Sequence, residues 1–112
     1  MQQLRLSTRT HDASTVVALS GELDLATAQE LDTYLDDVTN EDGPRIVLDM
    51  SGLTFMDSTG IRILIRHHRQ TEEKGGRLAI AAPQPIVAKA LKITGLDQEL
   101  HLFGSVTDAV TA

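Results

Sequence analysis

Cysteine is absent from the 112-residue chain, which excludes disulfides and thiolate chemistry. Tryptophan is also missing and aromatic residues make up only 3%, so the core has to be aliphatic, built from Leu, Ile, Val and Ala. No window approaches the roughly 20 apolar residues needed to span a bilayer. The first nine residues alternate polar and apolar instead of forming the apolar stretch of a secretion signal. These absences lead to the expectation of a soluble, cytoplasmic chain with no membrane partner. Positive charge is in deficit, with 10 Lys and Arg against 16 Asp and Glu and a net charge of −6. A phosphate backbone is therefore a poor fit, because nucleic-acid binding is driven by Lys and Arg displacing counterions.

What is present is the composition of a folded protein: 41% hydrophobic and 23% charged residues. No repeat, low-complexity tract or Pro/Ser-rich linker interrupts it, so residues 1–112 are expected to form one domain. Leu4–Thr8 alternates and Val16–Ser20 is an apolar run. With the polar His11–Ser14 between them, the two predict an antiparallel hairpin. A helix follows Gly21. Thr27 and Glu30 have capping-box spacing, Ala26 and Leu31 could staple it, and Ala28, Leu31, Leu35 and Val38 form one buried stripe. Ile46-Val47-Leu48, within Arg45–Met50, suits a central strand covered by helices. Leu53–Asp57 reads as a short crossing segment, and a second helix begins near Ser58 and ends at Gly75-Gly76. On it, Ile61, Leu64, Ile65 and His68 share one face, and Arg62, Arg66 and Arg69 another. Leu78–Ala82 is a further strand. A helix through about Ile93 follows Pro83 and Pro85, Leu100–Phe103 is a last strand, and Ser105 with Asp108 could cap a final turn. The order β-β-α-β-α-β-α-β-α predicts an α/β fold with a mixed, mainly parallel sheet and about four helices. Leu31, Ile46, Leu48, Ile61, Leu64 and Leu78 are expected to face one core.

The chemically informative run is Leu53-Thr54-Phe55-Met56-Asp57-Ser58-Thr59-Gly60-Ile61. It places an acid, two hydroxyls and a glycine where a strand hands over to a helix. Unpaired N–H groups and a partial positive charge at a helix start leave a hydroxyl there exposed and an added phosphate tolerated. The plainer role for Asp57 or Ser58 is that of an N-cap. Gly60 allows close approach of another backbone. Hydrolase chemistry has no support, since Met56 stands where the Gly-x-Ser-x-Gly turn needs its first glycine. The four histidines are scattered. His67 and His68 are adjacent and point to different sides of a helix, so no metal site is expected, and all four imidazoles are expected at the surface or partly packed. Nucleotide-binding glycine patterns are missing, so no cofactor is expected. Asp36-Asp37 through Glu41-Asp42 reads as a solvated helix end.

Gly21-Glu22-Leu23-Asp24, Ile46-Val47-Leu48-Asp49, Leu53 through Gly60, Gly75-Gly76 and Gly95-Leu96, in that order, resemble the STAS-domain family. The stand-alone bacterial anti-sigma factor antagonists match best, and the resemblance runs from Leu4 to Val110. It implies that Ser58 is phosphorylated by an anti-sigma factor that is itself a GHKL-type serine kinase. It implies further that a PP2C-type phosphatase resets the protein, and that the chain is a substrate and not an enzyme. Only the unphosphorylated form would capture the anti-sigma factor and free the sigma factor. The contact surface would comprise Glu22, Asp24, Thr27, Asp57, Ser58, Thr59, Gly60 and Ile61. Thr59 stands where many relatives have Ser and can also accept phosphate. The alternative within the family is a non-switching STAS module of a stressosome-type scaffold or of a lipid- or anion-transport complex. The Arg62, Arg66 and Arg69 face has no counterpart in the resemblance.

Overall fold

The computed structural model describes residues 3–40 and 43–112. The predicted hairpin is β1 (Arg5–His11) paired antiparallel with β2 (Ser14–Leu23), Arg5 facing Ser20 and His11 facing Ser14. Asp12 makes the tight turn at φ 54, a left-handed conformation that a short polar side chain tolerates. α1 (Ala28–Val38) then leads to β3 (Arg45–Met56), and α2 (Ser58–Glu73) leads to β4 (Arg77–Ala81). α3 (Pro85–Ile93) and the single turn α4 (Leu96–Glu99) precede β5 (His101–Phe103), and α5 (Val106–Thr111) closes the chain. The five-stranded sheet has the order β1-β2-β3-β4-β5, with every pair after the first parallel. The predicted α/β class and mainly parallel sheet are borne out. α4 is the helix beyond the expected four: four residues carry too little periodicity to stand out between Gly95 and the strand.

Two local expectations are corrected. Leu53–Asp57 is no separate crossing segment, because β3 continues through Met56. It does so by shifting register against β2 twice, between Ala18 and Ser20 and between Gly21 and Glu22, and such bulges bend paired strands together. The capping box of α1 is not formed either. Thr27 makes no side-chain cap and instead donates from Oγ1 to the Glu22 carbonyl at 2.9 Å. The Asp24 carboxylate takes the Ala26 and Thr27 amides, at 3.0 and 3.1 Å. Thr27 still precedes the first helical residue, but Asp24 holds the turn that leads into it.

The strands alternate between two apolar layers, as the period of 2 requires. Val17, Leu19, Ile46, Leu48, Met50, Leu78 and Ile80 pack with Leu31 and Leu35 of α1, Ile61 and Leu64 of α2, and Val87 and Leu91 of α3. On the other face Val16, Val47, Ala79 and Ala81 meet Ala109 and Val110 of α5. All six residues expected in one core are buried in the first layer. Glu41 and Asp42 of the acidic run lie outside the described residues. Asp36 and Asp37, at the end of α1, are exposed.

Leu48 is fully buried between Val17 of β2 and Ile80 of β4. Its truncation to Ala is expected to cost about 2–5 kcal/mol, a large share of the stability of a domain this size. Denaturant unfolding measures it, and an unchanged midpoint would contradict the placement of β3.

Candidate functional site

β2 and β3 end side by side, Leu23 opposite Met56, and this pairing sets the site. From Leu23 the chain turns through residues 24–27 into α1; from Met56 it turns through Asp57 into α2. Asp57 joins the two turns. Its amide donates to the Leu23 carbonyl at 3.1 Å. Its Oδ1 accepts from the amides of Thr59 at 2.9 Å and Gly60 at 3.1 Å, and its Oδ2 accepts from the amide of Leu25 at 3.2 Å. Asp57 is therefore the N-cap of α2, satisfying two of the helix's orphan donors. Ser58 is left as the first helical residue, with its hydroxyl outside the cap. It is exposed, whereas Thr59 is only half-exposed.

Gly60 is required by packing. A Cβ there would meet Leu23 Cγ at 2.6 Å and Met56 Cγ at 3.0 Å, so it is side chains, not the expected backbone, that press on it. Thr27 is buried and engaged within its own turn. Ile61, which the family resemblance implies for the contact surface, points into the core with 8% exposure. Glu22 and Asp24 are half-exposed beside the site. The structure thus brings Glu22, Asp24, Asp57, Ser58 and Thr59 together at one end of the sheet, with Thr27, Gly60 and Ile61 beneath them as support.

Two surface residues escape the sequence pattern. Leu25, whose amide is tied to Asp57, is 77% exposed, and Phe55, three residues before Ser58, is 41% exposed. Leu23 and Leu25 are two apart and would share a face if β2 continued. The strand ends at Leu23, so the alternation no longer applies and Leu25 is delivered to solvent.

A second polar cluster lies between α1 and α2. The expectation of surface or partly packed imidazoles fails for His67 and His68, both of which are buried, with His67 at 0% exposure. They do point to different sides. His68 Nε2 is 3.3 Å from Glu72 Oε1, and His67 Nε2 is 2.8 Å from Asp32 Oδ1 on α1. Arg66 also pairs with Asp32 and reaches Asp36 at 4.0 Å. Asp32, Asp36 and His67 bring potential ligand atoms within 4.8 Å of one another, and the Arg66 guanidinium already faces both carboxylates. Burial lowers the His67 pKa to about 4 against the opposing pull of Asp36, while the Arg66 and Lys74 charges lower it further.

The STAS-domain model matches residues 5–109, and the chain belongs to the STAS-domain family. It is 30% identical to the anti-sigma-F factor antagonist RsfB of Mycobacterium tuberculosis over 104 residues, covering 90% of this chain and 82% of that one. The anti-sigma F factor antagonist of Paenibacillus polymyxa is 28% identical over 109 residues, 96% and 93% of the two chains. The crystal structure of an anti-sigma factor antagonist from Mycobacterium paratuberculosis superposes with a TM-score of 0.89 at 29% identity, covering 97% of this chain and 92% of that one. Among the described residues, no helix is long and apolar enough to cross a membrane.

The buried imidazole has a consequence for stability. Unfolded, His67 takes up a proton near pH 6.5; folded, it does so only near the lowered value of about 4. The unfolded state therefore binds more protons in that interval, and stability falls as pH drops from about 6.5 toward 4. The contribution amounts to about 3 kcal/mol when complete. Denaturant unfolding at several pH values is expected to show a flatter acid branch for His67→Gln than for the parent. Parallel branches would assign the acid sensitivity elsewhere.

Proposed function

We propose that this chain is an anti-sigma factor antagonist controlled by phosphorylation of Ser58. The observation that carries the reading is the exposed Ser58 hydroxyl at the start of α2, outside a cap that Asp57 completes without it. The names of the relatives at 28–30% identity support the antagonist role. Unmodified, the surface formed by Glu22, Asp24, Leu25, Ser58 and Thr59 binds a GHKL-type anti-sigma factor serine kinase and releases the sigma factor, in the cytoplasm. Asp57, Thr27, Gly60 and Ile61 hold that surface in shape.

Phosphorylation is a reaction of the kinase, with this protein as substrate. The Ser58 oxygen attacks the γ-phosphorus of the kinase's Mg·ATP, and the bond to the ADP oxygen breaks. The hydroxyl proton passes to a base on the kinase. The product carries about −1.5 to −2 charge beside Asp57. In a complementary interface containing an exposed leucine, that charge and its hydration shell oppose the contact, and the partner is released. A PP2C-type phosphatase restores the hydroxyl by hydrolysing the phosphoester with water.

Incubation with the kinase and Mg·ATP is expected to add one phosphate by intact mass, absent in Ser58→Ala. Full modification of Ser58→Ala, mapped to Thr59, would overturn the site. Calorimetry with nucleotide held constant tests the switch. Ser58→Ala is expected to bind the anti-sigma factor like the parent, and Ser58→Glu at least tenfold more weakly, about 1.4 kcal/mol. Both variants must first be shown folded. Equal affinity of the two would mean that charge at position 58 does not control the partner, and would favour a STAS scaffold.

A further inference from the structure

The exposed arginines of α2 are unequally engaged. Arg66 is held by Asp32 and Asp36, and Arg69 Nε donates to Glu99 Oε1 at 3.3 Å. Arg62 is exposed and takes part in no ion pair among the described residues. It stands at the head of an open groove on the outer face of α2 that Ile65, Arg66 and Arg69 continue. Arg62 follows Ser58 by four residues, one helical turn. At that spacing side chains are neighbours, and an acid preceding a base is the favourable orientation.

Two of the amides at this helix start are already taken. Asp57 Oδ1 holds the amides of Thr59 and Gly60, and Oδ2 holds that of Leu25. On that side a phosphate on Ser58 meets two amides already held and a carboxylate that repels it. The geometry points to Arg62 as the receiver of the Ser58 phosphate: its guanidinium forks onto two phosphate oxygens and holds the group on the outer face of α2, turned away from Asp57 and the 24–27 turn. Planar two-point contact with a dianion is what a guanidinium does best. The inference rests on the reading of Ser58 as the modified residue, and it adds where the phosphate goes and which side chain fixes it there. Arg62 is thereby a positioning residue of the phosphorylated form. Its charge faces solvent in the unmodified protein and is consumed by the phosphate in the modified one.

The test uses the full chain with phosphoserine encoded genetically at position 58, so that no kinase is needed. Its phosphate is titrated by phosphorus NMR. Against a second pKa near 6 for a free phosphoserine, pairing favours the dianion. The pKa in the parent is expected to lie below that in Arg62→Gln by about 0.3–1 unit. Arg62→Lys should fall between them, and Arg69→Gln should match the parent. The difference should shrink as salt is raised. Equal pKa values in the parent and Arg62→Gln would overturn the inference, as would a shift carried by Arg69→Gln instead. Failure of the unmodified protein to accept phosphate at Ser58 from its kinase would defeat the functional reading alone, because the encoded phosphoserine reports on Arg62 in either case.

Discussion

The Asp57 carboxylate gathers three backbone amides from two segments, one of them 32 residues away at Leu25. Without it, the first turn of α2 would leave two donors unpaired, and the turn out of β2 would lose its tie to that helix. Leaving a buried or half-buried amide unpaired costs roughly 1–3 kcal/mol. Asp57 therefore matters more as a clamp than as a charge displayed to a partner. It also explains the division of labour with Ser58. With Asp57 as the cap, the neighbouring Ser58 is left exposed and its hydroxyl outside the cap.

The frame behind that clamp is apolar and tightly set. Leu23 and Met56 end adjacent parallel strands and close on Gly60, where a single added carbon would collide. Farther along, Asp32, Arg66 and His67 fasten α1 to α2. Polar contacts of this kind hold one relative placement of two helices where apolar packing would tolerate several. The two helices whose N-termini flank the site are thus held both at their starts and along their length.

The sheet and its core were legible from an apolar run and from periodic stripes. Ile46-Val47-Leu48 is unbroken because it supplies both apolar layers, and the Leu31–Leu35 and Ile61–Leu64 stripes fall where a helix of 3.6 residues per turn puts them. The strand-to-helix handover was legible as a cap at Asp57, and Ser105 capped the last helix as its spacing implied. What escaped was non-local. The continuation of β3 through Met56 depends on bulges that only its pairing with β2 reveals. The capping box failed because the Thr27 hydroxyl is taken up by the Glu22 carbonyl, five residues back. His67 read as a surface or partly packed residue because its partner, Asp32, lies 35 positions away. The exposure of Leu25 follows from where a strand stops, which residue types do not encode.

Among the described residues, the sheet ends on two strands that pair on one side only, β1 and β5. Such strands offer unpaired backbone groups to any neighbouring chain, and proteins blunt them with charge or brevity. β5 has only three residues. β1 has seven, but Arg5 and Arg9 are both exposed on it and its Thr and Ser side chains are mostly solvated. A second copy approaching edge to edge, antiparallel or parallel, would bring guanidinium groups together. The flanks of the sheet are thereby closed to a second copy, and self-association into ribbons is discouraged by two cationic side chains of β1.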